Sequence, residues 1–280
     1  MNDAAPSPRL DPVARTGRLT AAMRARESAR ADRLFADPLA ARLAGSEGEG
    51  LLGDFGDTPA IAVRTRFFDD ALTGAAARSA PDAQLVILAA GMDTRAFRLD
   101  LPAETVLYEV DRADVLALKE RLLGMDGEDA PRPRCTRRAV GADLAGDWPP
   151  RLAEAGFDAT RATCWLVEGL TQYLTERDIA ALLDRITALS APGSELLTDF
   201  VGRSMLESPD MRPMLDVMEE RGAPWRFGTD RPEDLLTPRG WEPEATLMGV
   251  LGHRYGRWPY PDAPRDTPGV PQGFVVHARR

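Results

Sequence analysis

Two groups twenty residues apart, Gly91 and Asp111, have the spacing of a nucleotide site. Gly91 closes the apolar run Leu85 to Ala90, and Asp111 ends a second run that begins at Thr105. Short continuous runs of β-formers read as strands of a parallel sheet covered on both faces. Asp93 and Thr94 follow as an N-cap pair, so the chain enters a helical turn whose free N–H groups face a ligand. In a doubly wound α/β sheet, the acid at the tip of the second strand lies beside the turn after the first. There it accepts both hydroxyls of a ribose. The full G-x-G-x-x-G pattern is missing, since positions 93 to 96 read Asp-Thr-Arg-Ala. That argues against a nicotinamide dinucleotide and hydride transfer, and there is no Walker-type lysine.

A third acid, Glu168, ends the apolar strand Thr163 to Val167 on the edge where such sheets bind ligands. Groups able to take a proton are few: Glu168, Tyr173 and His253 are the candidate catalytic residues. His253 is expected in the loop between the last two strands, and the other histidine, His277, in a structural role. Cys135 and Cys164 lack a CxxC spacing and read as small core residues suited to a reducing, cytoplasmic setting. No set of residues has the spacing of a metal site.

These groups need a frame to hold them. The 280 residues are 44% apolar, enough for a sizeable core. The net charge of −9 excludes a non-specific nucleic-acid or anionic-membrane binder, and no apolar run reaches the roughly 18 residues of a membrane span. Residues 1–14 read as a flexible arm and 15–280 as a single α/β domain, with an N-terminal helical cap over 15–80. Within the cap, Thr16 to Leu43 predicts two helices broken at Asp37-Pro38, Gly45 to Asp57 a glycine-rich acidic loop, and Thr58-Pro59 the start of a helix to Arg78. Helices after the second and fourth strands are expected over Arg112 to Leu123 and Glu176 to Leu189, the latter capped by Thr175. Residues 201–240 leave βα alternation with a helix over Met205 to Arg221, a substrate-side insertion. Its methionines 205, 211, 214 and 218 read more readily as core than as pocket. Strands near Glu244 to Met248 and Gly273 to Ala278 form a terminal hairpin.

Leu88-Ala-Ala-Gly-Met-Asp-Thr-Arg-Ala-Phe-Arg-Leu99, followed by Tyr108-Glu-Val-Asp111, resembles the leucine carboxyl methyltransferase family, including its bacterial tetracenomycin-type O-methyltransferases. Arg18 to Pro38, Arg64 to Asp70, Gly141-Ala-Asp-Leu144, Trp165 to Leu174 and Tyr255 to Tyr260 extend the likeness in family order. The resemblance implies a class I methyltransferase, with a Rossmann-like, seven-stranded, mostly parallel sheet, using S-adenosylmethionine and releasing S-adenosylhomocysteine. It implies that Arg26 and Arg64 hold the methionine end of the cofactor, and that Ala89 and Gly91 form the turn. It also places Asp143 on the adenine amino group and Leu144 on the ring; by sequence alone Asp143 reads equally as a turn aspartate. The family's Gly-Ala-Gly stands here as Ala89-Ala90-Gly91, tolerable for Ala89 if its φ stays negative.

A carboxylate is already nucleophilic at neutral pH, whereas a phenol benefits from a base. The scarcity of bases therefore favours carboxyl methylation of a small acid, aromatic or polyketide-like, over methylation of a phenol. A non-catalytic protein that binds S-adenosylmethionine is the other reading.

Overall fold

The computed structural model describes residues 11–280. Seven strands, β1 (Gln84–Leu88), β2 (Val106–Asp111), β3 (Thr136–Gly141), β4 (Thr163–Val167), β5 (Glu195–Val201), β6 (Glu242–Leu247) and β7 (Gly273–Arg279), form one sheet. Their order is β3-β2-β1-β4-β5-β7-β6. Neighbours run parallel except at β7, which is antiparallel to both β5 and β6. The expected mostly parallel sheet and its terminal hairpin are thus present.

Every residue of β1 and β4 is buried, as continuous apolar runs require. Alternate side chains enter two cores. Leu85, Ile87 and Leu166 pack under α1 (Pro12–Ser28), α2 (Ala40–Phe55) and α3 (Pro59–Arg78). Val86, Leu88 and Trp165 pack with Trp148 and Phe157 on the opposite face. Each large apolar side chain so buried contributes about 1.5–3 kcal/mol.

The first core is interrupted by ions. Glu109 Oε2 on β2 accepts from Lys119 Nζ on α5 (Ala113–Leu123) and from Arg137 Nη2, each at 2.7 Å. Lys119 is the chain's only lysine, and its side chain is wholly buried.

The remaining helices are α4 (Arg95–Arg98), α6 (Pro149–Glu154), α7 (Glu176–Ala188), α8 (Arg203–Glu207), α9 (Arg212–Glu220), α10 (Glu233–Leu236) and α11 (Met248–Arg254). α7 begins as expected with a capping box between Thr175 and Asp178. Three expectations need correction. The loop expected over Gly45 to Asp57 is mostly helix: Leu51 and Leu52 bury against the core, and Gly45, at φ 53°, absorbs the kink as α2 turns. The long helix expected from Met205 to Arg221 is broken into α8, a 3₁₀ turn and α9, because Pro209 and Pro213 each remove a backbone donor. The arm expected over 1–14 falls mainly outside the described residues, and α1 already starts at Pro12 with Asp11 as its cap.

Candidate active site

Strand order reverses between β1 and β4, and a cleft of about 450 Å³ opens beyond their carboxyl ends. Ala89, Gly91, Asp111, Asp143, Leu144, Arg64, Glu168 and Tyr173 all line it. α1 covers it with one face, since Val13, Gly17, Thr20 and Arg24 recur at helical spacing along the wall.

One end is a continuous ionic chain. Arg24 pairs with Asp37 (2.9 Å), whose Oδ2 lies 3.8 Å from Arg98. Arg98 forks onto Asp69 (2.6 and 2.8 Å), and Asp69 also accepts from Arg95 Nε (2.8 Å). Arg95 Nη1 reaches both Asp93 and Glu168, the latter at 2.7 Å. Arg64 completes the chain, with Nε on Glu168 (2.8 Å) and Nη1 on Asp199 (2.7 Å). Among the described residues five carboxylates therefore face four guanidiniums in this chain, one formal negative charge in excess. Arg64 Nη2 has no hydrogen-bond partner among the described residues. Its guanidinium lies so close over Gly169 (φ 66°) that a Cβ there would stand 3.1 Å from Nη2.

The electrostatics follow from this packing. Burial by itself raises the Glu168 carboxyl, but Arg95 and Arg64 outweigh it and hold the group below the ordinary carboxylate range. At Asp93 burial is likewise overcome, chiefly by Arg95, and the pKa falls to about 2. At Asp199 burial wins over Arg64 and the pKa rises.

The other end rests on backbone groups. Gly91 adopts φ 44° in the turn after β1, and its N–H donates to Asp111 Oδ2 at 2.7 Å. Asp111 Oδ1 accepts from Arg112 N at 2.7 Å, and burial raises this carboxyl despite both donors. Asp143 accepts from Ala145 N (2.9 Å) and sits exposed on the rim, so it is a turn aspartate and a cleft residue at once. Of the expected Asp93–Thr94 cap pair, Asp93 does the capping, accepting from Arg95 N at 2.7 Å, while the Thr94 hydroxyl donates to Asp37.

The structure moves three expectations. Arg26 is exposed and outside the cleft; Arg24, two residues earlier and on the covering face of α1, lines it instead. His253 lies in α11, not in a loop, and is exposed and outside the lining of the cleft. Ala89 has φ 53°, the left-handed region, so the condition for an unstrained alanine is not met. None of methionines 205, 211, 214 and 218 lines the cleft. Arg95 and Arg98 escaped the sequence reading, although they follow the Gly91 turn directly and their spacing puts both on one side of a helical turn.

Known proteins resemble this chain in sequence and in fold. The leucine carboxyl methyltransferase profile matches residues 18–187. A protein of Mycolicibacterium gilvum, assigned as an S-adenosyl-L-methionine-dependent methyltransferase, is 39% identical over 95% of this chain and 92% of its own length. One from Parafrankia sp., assigned likewise, is 47% identical over 82% of this chain and 76% of its own. A crystal structure from Thermobifida fusca, assigned as a methyltransferase, superposes with a TM-score of 0.60 over 94% of both chains at 16% identity, a likeness of fold. With the family motifs lining one cleft at the switch point of the sheet, the chain belongs to the leucine carboxyl methyltransferase family and is an S-adenosylmethionine-dependent methyltransferase.

Proposed function

We propose that the protein methylates a carboxylate oxygen of a small natural-product-type acid. The observation behind this reading is that the acids lining the cleft are committed. Glu168 and Asp93 are held ionised by arginines, Asp111 is tied to two backbone donors, and His253 lies elsewhere. Such a cleft suits an acceptor that already carries its negative charge, as a carboxylate does above a pKa of about 4 and a phenol does only near 10.

The residues fit the cofactor. After accepting one backbone N–H, each Asp111 oxygen keeps a lone pair for a ribose hydroxyl. Arg24 and the Nη2 of Arg64, which has no partner among the described residues, offer donors to the amino-acid carboxylate, a role the family resemblance implies for Arg26 and Arg64. Asp143 and Leu144 take the adenine amino group and ring. Bound S-adenosylmethionine supplies a methyl group on a positively charged sulfur, open to in-line displacement. Glu168 and the excess negative charge around it favour that cation by about 1–4 kcal/mol at contact, depending on exposure. Tyr173, whose hydroxyl lies 3.4 Å from Thr16 Oγ1 of the covering helix, lines the acceptor side and orients what binds there.

The test pairs an aromatic carboxylic acid with the phenol of the same skeleton, reading products by mass spectrometry. The expected product is the methyl ester, with kcat/KM flat from about pH 6 to 9 and unchanged in His253→Gln. Methyl ether as the main product, or a rate rising tenfold per pH unit, would refute carboxyl methylation.

A further inference from the structure

The loop carrying Asp143 has little of its own to fix it. Asp143, Ala145 and Gly146 are exposed, and only Leu144 packs against the second core. Its internal bonds, Asp143 Oδ1 from Ala145 N and Asp143 O from Gly146 N, both 2.9 Å, close the turn on itself without tying it to the domain. The tie comes from α7. Asp178, Ala181, Leu182 and Arg185 recur at helical spacing along the cleft wall. From the last of these, Nη1 donates to Leu144 O at 3.1 Å and to Gly146 O at 2.8 Å.

We infer that Arg185 is a positioning residue for cofactor recognition, holding the Asp143–Gly146 loop so that Asp143 meets the adenine amino group. This rests on the adenine reading of Asp143 given above. The guanidinium suits the task because one rigid planar group bridges two carbonyls, one on either side of Ala145, and so fixes both the height and the tilt of the turn. A loop held this way presents its carboxylate without ordering it anew on each binding event, and loss of the bridge reduces selectivity for the amino group as well as affinity.

The test is calorimetric titration with S-adenosylhomocysteine and with its 6-deamino analogue, in which hydrogen replaces the adenine amino group. The wild-type protein should prefer the amino form. Arg185→Leu should weaken S-adenosylhomocysteine about tenfold and flatten the preference, with Arg185→Lys between the two, while the ligand-free melting temperature moves little. A purely structural role would lower both affinities equally and leave the ratio intact. If Asp143→Ala flattens the preference while Arg185→Leu keeps it, the positioning role is overturned and the adenine reading stands. If Asp143→Ala itself keeps the preference, the adenine reading fails and the role of Arg185 with it.

Discussion

The two ends of the cleft are built by opposite means. At one end nine charged side chains from α1, α3, α4, the ends of β4 and β5 and the loops that carry Asp37 and Asp93 are joined in a single network, with Asp37, Arg95 and Arg98 almost entirely buried. At the other, Gly91, Asp111 and the 143–146 loop are arranged by backbone hydrogen bonds and lie nearer to solvent. The ionic end is therefore part of what keeps the domain folded, since a buried charge without its partner is costly. The backbone end is specialised for its ligand and even works against the ligand-free fold, because burial raises the Asp111 carboxyl. Stability and binding should accordingly separate along the cleft.

The sharpest way to break that contrast is Arg95→Met. It leaves Asp69, Asp93 and Glu168 short of a shared cation, and should cost about 3–5 kcal/mol in urea unfolding while abolishing methyl transfer. A loss below 1 kcal/mol would mean the ionic end is not structural. At the other end Asp111→Asn should weaken S-adenosylhomocysteine about 10- to 100-fold by calorimetry without lowering the ligand-free melting temperature at pH 7. The sign follows from the raised folded pKa: the stabilisation from this group is complete below the ordinary aspartate pKa and lost as pH rises through the folded value. At neutral pH the charge is thus a burden. A clear drop in the melting temperature at pH 7 would contradict this. The smallest effect is expected at the turn, where Ala89→Gly relieves a left-handed alanine but adds chain entropy to the unfolded state. The net gain should be about 0.5–1 kcal/mol in the urea midpoint, and a loss would show that the alanine methyl packs favourably enough to offset its strain.

How far the sequence reveals each end also differs. Gly91 and Asp111 are legible because strand, glycine and acid stand at a spacing set by one βαβ unit, and β4 is legible because it is apolar throughout. The ionic network is not, since it joins residues up to 135 positions apart, as between Arg64 and Asp199. Arg26 and Arg24 show a finer limit: two residues along a helix turn the side chain about 200°, and only the packed phase of α1 decides which faces the cleft. The α2 helix was hidden by its glycines, which lower propensity while Leu51 and Leu52 supply the burial that outweighs it. Ala89 illustrates the remaining case, in which closure of a turn imposes a φ that residue type alone would not select.

The buried Lys119 has a practical consequence for chemistry done on the protein. Among thirty-five basic side chains it is the only primary amine, and the fold seals it against Glu109. Amine-selective acylating reagents should find no lysine in the native protein and acquire one when β2 and α5 part. Labelling at residue 119 would then report the opening of the sheet that supports the cleft.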